Sequence, residues 1–369
     1  MIGNEEFNPG SSSQLQDLLY RKFGIRERRN RKTGSPTADR KALLEIITTA
    51  PDDVGMILGK VLNYRDASKL LGTFLSQKLR PDGTMTTSYN ISGTVNGRIS
   101  SSTNLWDEGG NVQQVPRGPF RRIFIPRPGM VLVKVDLSQA EARVVAWTAR
   151  IQLLIDLFSN DPSFDIHTWN AGENLFRVER SKVTKAMRQI SKAGVHGGNY
   201  GLGAKTAALT YSVPYQQAKD AITRYRQALP DIEKWWRRVE SEISLNRMLR
   251  TPFGRIRVFL DRLDHATFRS AYAFVPQSTV GDVINSVFGK AEEKLDGKGW
   301  PLIQVHDEIV FEIFEDHLQD GLETIRSLFQ IPLHFPEVDV PLIIPPDISV
   351  GKNWFDQEKI KFDRRETQT

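Results

Sequence analysis

The clearest pattern of apolar and polar positions lies in residues 131–147, VLVKVDLSQAEARVVAW. The apolar residues between positions 131 and 135 form a short, β-branched run, which is typical of a buried strand. Asp136 ends that run. Ser138, followed three residues later by Glu141, predicts a helix that begins with a capping box. The segment therefore predicts a strand, an acid and a helix in succession.

A second block, LIQVHDEIVFE at residues 302–312, has apolar flanks and the polar centre His306-Asp307-Glu308. This pattern predicts a β-hairpin whose turn carries two acids into solvent. Asp136 and Asp307 on neighbouring strands could then hold two Mg²⁺ ions about 4 Å apart, as in phosphoryl transfer. The alternative is that Asp136 is a helix cap and that the second block contains an ordinary acidic turn.

A third pattern consists of Arg188, Lys192, His196 and Tyr200, which recur every four residues. On a helix these side chains share one face. Two cations one turn apart suit a triphosphate, and an aromatic ring further along suits a nucleobase. The alternative is a solvated basic face of an ordinary surface helix.

Elsewhere, apolar residues at helical spacing predict that residues 1–80 and 150–260 are mostly helical, whereas residues 81–130 are predicted to be extended. Residues Thr251–Phe259, TPFGRIRVF, predict a hairpin with a glycine at the bend. The segment Arg21–Lys32 holds seven basic residues and one acid. Such a run is either a solvated face or a clamp on a phosphate backbone.

Composition narrows the class of protein. The 369 residues are enough for two or three domains, and the net charge of +6 is expected of a nucleic-acid-binding protein. The absence of cysteine excludes disulfides and thiolate zinc sites. No apolar run reaches the roughly 18–20 residues of a membrane span, and the N-terminus does not resemble a signal peptide. We therefore expect a cytoplasmic protein that is neither secreted nor bound to a membrane.

Three motifs in order, DLSQAEAR, R-x3-K-x7-YG and VHDE, resemble the polymerase motifs of the family A DNA polymerases, the bacterial DNA polymerase I family. Weaker similarity extends from about Phe7 to Trp354. The resemblance implies an α+β fold of the right-hand polymerase type, with an antiparallel-sheet palm, helical fingers and a partial helical thumb. The implied divisions are partial thumb 1–80, palm 81–149, fingers 150–264 and a second palm segment 265–369.

The resemblance also implies a function and its residues. It implies a DNA-templated DNA polymerase that extends a primer 3′-hydroxyl with dNTPs by two-metal-ion nucleotidyl transfer. Asp136 and Asp307 are the implied ligands of two Mg²⁺ ions, with Mn²⁺ as an alternative, and Glu308 and Lys192 are implied to be catalytic. The residues implied to bind the dNTP are Arg188, Lys192, His196, His167, Glu141, Gln139 and Tyr200. The residues implied to bind primer–template DNA are Arg98, Asn111, Gln113, Gln114, Arg269, Gln277, His306 and Tyr200.

The chain departs from the family pattern at several positions. Asn96 stands where Thr is usual, Gln114 where Asn is usual, and Ser278 where Gly is usual. Ala273 replaces an Asn, so one contact to the primer–template minor groove is expected to be absent.

His196 stands where relatives carry Phe or Tyr, so we expect its ring to contact the incoming sugar. Beside a triphosphate the pKa of His196 is expected to rise. The glycines at 194, 197 and 198 are expected to weaken the helix and to leave room around the sugar.

Two other functions fit parts of the sequence. A single-subunit RNA polymerase would share the carboxylates and the basic helix. Glu141 argues against it, because in the resembling DNA polymerases this glutamate blocks a ribose 2′-hydroxyl. Met1 falls inside the thumb, so no exonuclease domain is expected in this chain. The chain could therefore be an inactive DNA-binding remnant whose partner is a separate chain supplying the exonuclease or the rest of the thumb.

Overall fold

The computed structural model describes residues 7–30, 33–106 and 108–362. The chain divides into two compact units. Unit 1 comprises residues 1–86 and 103–110, and unit 2 comprises residues 87–102 and 111–369. Within the described part of the chain, no helix is both long and apolar enough to cross a membrane.

Unit 1 is helical, as predicted for residues 1–80. Its α-helices are α1 (Ser12–Gln16), α2 (Arg40–Ile47) and α3 (Asp52–Leu70), and π-helical turns follow α1 and α3. Leu43 and Ile46 are fully buried, and their spacing places them on one face of α2. They pack with Leu15, Leu19 and Leu58 into the core of this unit.

The basic run of unit 1 is partly neutralised by nearby acids. Arg31 and Lys32 of this run lie outside the described residues. The ion pairs of the described arginines join Arg21 to Asp17, Arg28 to Glu45 and Arg29 to Glu27. Both interpretations of the run, a solvated face and a phosphate-binding segment, stay predictions.

Unit 2 combines helices with antiparallel strands. Its helices are α4 (Ala140–Thr148), α5 (Gln152–Asn160), α6 (Ile166–Trp169), α7 (Lys185–Tyr200), α8 (Ala204–Tyr211), α9 (Tyr215–Ala228), α10 (Asp231–Asn246), α11 (His265–Leu295) and α12 (Leu318–Leu328). Its strands are β1 (Ser88–Asn90), β2 (Ser100–Ser102), β3 (Met130–Leu137), β4 (Met248–Arg250), β5 (Ile256–Val258), β6 (Gly299–Val305), β7 (Glu308–Phe314), β8 (Leu333–Phe335), β9 (Val338–Leu342), β10 (Pro346–Gly351) and β11 (Glu358–Lys359). The α+β class, the mostly helical character of residues 150–260 and the hairpin predicted near Gly254 are confirmed.

The central sheet has the strand order β11-β10-β3-β7-β6, and every pairing is antiparallel. The strand predicted at residues 131–135 is β3, and the hairpin predicted at 302–312 is β6–β7. Val133 and Val135 of β3 are fully buried, because the strand lies inside the sheet beneath packed helices. The sheet therefore holds the ends of β3 and β7 in a fixed register.

The capping box predicted at Ser138 is wrong. The N–H of Ser138 donates to the carbonyl of Pro345 and so continues the pairing of the strands. The chain then turns at Gln139, which has a left-handed φ of 52° and precedes α4. The Glu141 carboxylate accepts hydrogen bonds from Arg98 and Tyr200. Long-range pairing thus prevails over the local capping signal.

The glycines of α7 serve a different purpose from the one predicted. They face α9, and a Cβ at Gly194 would lie 2.9 Å from the carbonyl oxygen of Ala221. A Cβ at Gly198 would lie 2.4 Å from the ring of Tyr225, which is fully buried. The expectation that these glycines leave room around a sugar is wrong, because the space beside them is filled by α9.

We predict that Gly198→Ala destabilises the protein by about 1–3 kcal/mol, because the added methyl group overpacks the α7–α9 contact. The matched control is Gly289→Ala in α11, where an added Cβ meets no atom within 4 Å. That exposed helical change should stabilise by up to about 1 kcal/mol. Urea unfolding measures both changes, and equal effects of the two substitutions would contradict the close helix contact.

Candidate active site

Acidic side chains meet at one end of the central sheet. Asp136 on β3 is the cross-strand partner of Glu308 on β7 and of Asp347 on β10. Asp307 lies in the turn before β7, and its carbonyl oxygen accepts a hydrogen bond of 3.2 Å from the N–H of Leu137. The sheet register thus brings Asp136 and Asp307 together, as the sequence predicts.

Burial of these acids shifts their proton affinity. Burial, followed by the charges of Asp307 and Glu308, raises the pKa of Asp136 to about 7. Burial is also the main cause that raises the pKa of Asp307. The site therefore disfavours two unaccompanied negative charges and favours either a proton or a cation beside them.

Glu308 is buried, so the prediction that the turn carries both acids into solvent is wrong for this residue. Its Oε1 atom accepts hydrogen bonds from Arg121 at 3.0 Å and from the indole N–H of Trp354 at 2.7 Å. The Arg121 guanidinium also lies 3.8 Å from the centre of the Trp354 ring. Oε1 of Glu308 is therefore engaged by residues of the protein. This arrangement favours a role for Glu308 in holding the β6–β7 hairpin in place.

The turn between β6 and β7 contains only His306 and Asp307, because Val305 and Glu308 already pair. His306 is exposed and has a left-handed φ of 56°. The fully buried Gln304 donates to the carbonyl of His306 at 3.2 Å, which braces this unusual backbone. Sequence reasoning missed Gln304, although a glutamine between Ile303 and Val305 in an apolar strand is a usable signal.

Gln113 braces Gln304 in turn. Its Nε2 donates to the backbone oxygens of Ile99 and Gln304 and to the side-chain oxygen of Gln304, at 3.1–3.2 Å. The amide N–H groups of Gln113 are thus used inside the protein. Gln113 thus positions Gln304, and its implied contact with DNA stays a prediction.

Glu141 connects separate parts of the site. One carboxylate oxygen accepts from Arg98 and the other from the Tyr200 hydroxyl, each at 2.8 Å. Burial and the Glu141 charge hold the pKa of Tyr200 well above its ordinary value. The segment carrying Arg98, the start of α4 and the end of α7 are thereby joined through one side chain.

The basic face predicted on α7 is present and is anchored by an acid. Arg188 donates to Asp165 at 2.6 Å, and Asp165 also accepts from the backbone N–H of His167 at 2.9 Å. Burial, followed by the charge of Arg188, lowers the pKa of Lys192. The charge of Arg117 acts on Lys192 as well as on Asp136, so this face and the acids share one neighbourhood.

The Gln139 amide makes two hydrogen bonds inside the protein. Its Nε2 donates to the carbonyl of Phe164 at 2.7 Å, and its Oε1 accepts from the N–H of Ile166 at 2.8 Å. The Gln139 side chain thus fixes the start of α6, where His167 lies, and its implied contact with a dNTP stays a prediction.

His196 lies between two rings. Its centroid is 5.6 Å from that of His167 and 5.7 Å from that of Tyr211, against which it stacks. In the protein without substrate, burial lowers the pKa of His196. The rise expected beside a triphosphate and the contact with a sugar stay predictions.

The remaining residues implied to bind DNA are spread around the same unit. Asn111 accepts from the Ser101 hydroxyl at 2.6 Å, and Gln277 accepts from the Asn96 amide at 2.9 Å. Gln114 and Arg269 are exposed. Their contacts with DNA stay predictions.

The donor set suits a hard divalent cation, although it is small. Across residues 7–30, 33–106 and 108–362, no cluster of three or more potential metal-binding side chains occurs. Mg²⁺ is commonly held by one or two carboxylates together with waters and substrate phosphates. Asp136 and Asp307 fit that arrangement, and a cation would relieve the repulsion that raises the pKa of Asp136.

The buried His167 predicts a pH dependence of stability. Burial, followed by the charge of His196, lowers the pKa of His167 to about 3, so the folded protein takes up this proton much later than the unfolded chain. Between about pH 6.5 and 3 the unfolded chain therefore binds more protons than the folded protein, so stability decreases as the pH is lowered, by up to about 1.4 kcal/mol per pH unit. His167→Gln should flatten this part of the stability curve. Urea unfolding at pH 7, 6 and 5 measures the effect, and parallel curves for the two proteins would contradict it.

Known proteins are similar to this chain in sequence and in fold. The chain is 29% identical to the thermostable DNA polymerase I of Thermus filiformis over 97% of this chain and 43% of that protein. It is 30% identical to DNA polymerase I of Pseudomonas aeruginosa over 96% of this chain and 39% of that protein. The chain thus spans about two-fifths of the length of the curated relatives that it matches.

The structure is similar to the POL domain of Pol1 from M. smegmatis, solved in complex with DNA primer–template and dNTP. The TM-score is 0.79 at 26% identity, and the match covers 94% of this chain and 61% of that one. The sequence also matches the family model of DNA polymerase family A over residues 1–356. The chain therefore belongs to DNA polymerase family A.

Proposed function

We propose that this chain is a DNA-templated DNA polymerase that extends a primer 3′-hydroxyl with dNTPs. The observation that carries the proposal is the convergence of Asp136 and Asp307 at the end of the sheet, in one neighbourhood with the basic face of α7. The relatives named DNA polymerase I and the POL domain bound to primer–template and dNTP support it. We assign residues 1–80 to a partial thumb, 81–149 and 265–369 to the palm, and 150–264 to the fingers.

Two Mg²⁺ ions, or Mn²⁺ in their place, are proposed to be held by Asp136 and Asp307. When bound, such ions lower the pKa of the primer 3′-hydroxyl and neutralise charge on the phosphates. Glu308 is engaged in an ion pair with Arg121, so the carboxylates proposed to be available to a cation are those of Asp136 and Asp307. Arg98 lies beside Asp307 and would limit repulsion between that acid and the primer.

Arg188, Lys192 and His167 are proposed to bind the triphosphate. The ion pair with Asp165 holds the Arg188 guanidinium in place before the substrate arrives, which reduces the cost of ordering it. Because its pKa is lowered, Lys192 is a better proton donor to the leaving pyrophosphate than an ordinary lysine. Motion of α7 would close this face over a correct base pair.

Glu141 is proposed to exclude ribonucleotides. Its carboxylate is held from both sides by Arg98 and Tyr200, so it cannot rotate away from an added 2′-hydroxyl without losing two hydrogen bonds. A rigid obstacle discriminates better than a mobile one. Tyr200 is proposed to lie at the template position as the site closes.

We predict that Asp136→Asn and Asp307→Asn each abolish primer extension with Mg²⁺ while primer–template binding persists. Their unfolding temperatures should stay unchanged or rise, because each change removes a buried charge whose pKa is raised. The control is Asp347→Asn, the other cross-strand partner of Asp136, whose carboxylate pairs with Lys359 at 2.6 Å. It should retain extension.

The purified chain alone is used in this assay. Full extension by either aspartate variant would contradict the proposal that Asp136 and Asp307 bind the metal ions. Absence of extension by the unsubstituted chain, with DNA binding intact, would favour the inactive DNA-binding remnant over the polymerase.

A further prediction separates DNA from RNA synthesis. On a primed template the protein should use dATP far better than ATP, and Glu141→Ala should reduce this preference on the order of 10- to 100-fold. Glu141→Gln keeps the size of the side chain and should retain most of the preference. Single-nucleotide incorporation measures kcat/KM for both substrates. Equal use of dATP and ATP by the unsubstituted protein would favour an RNA polymerase.

A further inference from the structure

Unit 2 contains a cavity that the proposed catalysis does not use. Its volume is about 510 Å³, and it is bordered by α4, α5, the end of α12 and the segment 340–346. Its walls are mostly apolar and include Trp147, Phe158, Leu342 and Phe362. Binding sites for small molecules commonly measure roughly 300–1,000 Å³ and combine such walls with a few polar groups. The cavity therefore has the size of a site for a small organic molecule.

One charged side chain, Arg143 of α4, is buried in the wall of this cavity and is only 1% exposed. Its Nε donates to the carbonyl of Ser138 at 3.0 Å, and its Nη2 donates to the carbonyl of Pro162 at 2.7 Å. The guanidinium carbon lies 4.3 Å from the centre of the Phe158 ring. Nη1 has no hydrogen-bond partner among the described residues, but it is not fully enclosed by protein atoms. Its N–H groups are therefore left to face the cavity.

The positive charge of Arg143 has no counter-ion in contact with it within the described part of the chain. Its partners there are neutral carbonyls and an aromatic ring. Burial lowers the pKa of Arg143 to about 10, against the opposing attraction of Asp347 and Asp161. A buried cation is costly unless an anion compensates it. An anion in the cavity would supply that compensation.

The groups around the cavity define the chemistry of its ligand. One nitrogen of one guanidinium suits a single negative charge, and a carboxylate accepts a strong hydrogen bond from such a donor. The indole N–H of Trp147 donates to the carbonyl of Val340 at 2.7 Å, so the ring offers the cavity an apolar surface. A triphosphate would carry more charge than Arg143 neutralises and would contact these apolar walls poorly. The cavity therefore suits an apolar molecule with one carboxylate.

We propose that this cavity binds a small organic monocarboxylate, whose apolar body lies against Trp147 and Phe158 and whose carboxylate accepts from Nη1 of Arg143. The site is distinct from the proposed nucleotide site and does not depend on the polymerase function. The two sites are nevertheless neighbours in the sheet, because Pro346 in the cavity wall is the cross-strand partner of Leu137, which follows Asp136. The experiment must therefore tell them apart.

The probes are 2-naphthoate and its neutral counterpart 2-naphthamide, which are nearly equal in size. Ligand-observed NMR titration of the purified chain measures the dissociation constants of both. We expect about 1 mM or tighter for 2-naphthoate, and at least about 10-fold weaker binding of 2-naphthamide, the factor for a hydrogen bond to a charged group. Arg143→Gln should bring the two affinities within about 3-fold of each other. Equal affinities of the unsubstituted protein for the two probes, or no binding of 2-naphthoate, would overturn the proposal.

A matched pair of substitutions keeps the test valid if the loss of Arg143 disturbs folding. Ile343 lines the cavity and is 40% exposed, so a polar residue is tolerated there. Ile343→Asp and Ile343→Asn place side chains of the same shape that differ by one negative charge. The Asp variant should bind 2-naphthoate about 3- to 10-fold more weakly than the Asn variant, because like charges repel. Both variants should bind 2-naphthamide equally.

Two control variants locate the bound probe. Leu260→Asp, at a position that is 87% exposed and outside the cavity wall, should leave the affinity for 2-naphthoate unchanged. Arg188→Ala, on the basic face of α7, should also retain it. Equal affinities of the two Ile343 variants for 2-naphthoate, or a loss of binding in Arg188→Ala, would overturn the assignment to the cavity. The titration involves no primer extension, so a failure of the proposed polymerase function leaves its result unaffected.

Discussion

The constraint on which the site depends is the presence of several carboxylates at one end of the central sheet. The register of β3 with β7 fixes Asp136 opposite Glu308, and the two-residue turn adds Asp307. Like charges in a poorly solvated place repel each other, and such a cluster persists only if each charge is compensated. Arg121 compensates Glu308 inside the protein. Among the described residues, Asp136 and Asp307 have no comparable buried partner, so the raised pKa of Asp136 follows from its burial and from the neighbouring acids.

The same logic extends to Glu141 and α7. Glu141 is shared by Arg98 and Tyr200, so removal of either partner leaves a half-buried carboxylate less well satisfied. The glycine face of α7 lets α9 approach closely and fixes the rotation of that helix about its axis. Arg188 and Lys192 lie on the opposite side of α7, so they project away from the face that packs against α9. The packing face of α7 and its proposed substrate-binding face are therefore opposite faces of one helix.

Much of this arrangement is predictable from periodicity. The buried strand at 131–135, the hairpin around His306-Asp307 and the shared face of Arg188 and Lys192 follow from the repeats of 2 and 3.6 residues. The partners of polar groups do not. The bond from Arg121 to Glu308 spans 187 residues, and nothing in the pattern selects Arg121 over the nearby Arg117 or Arg122. The family resemblance implies ligand contacts for the amides of Gln113 and Gln139 but does not identify their backbone partners, Gln304 and Phe164, which are distant in sequence.

The His306 turn shows what a sequence pattern leaves out. A left-handed φ at a residue other than glycine costs on the order of 1–3 kcal/mol, and glycine is the usual residue at the first position of such turns. Here the hydrogen bond from Gln304, the pairing of Val305 with Glu308 and the buried contacts of Glu308 together impose the conformation. Glycine would relieve the strain but would remove the imidazole beside Asp307. The strained backbone is thus maintained by surrounding interactions that also hold the backbone of Asp307 beside β3, so the cost in stability and the position of Asp307 have a common origin.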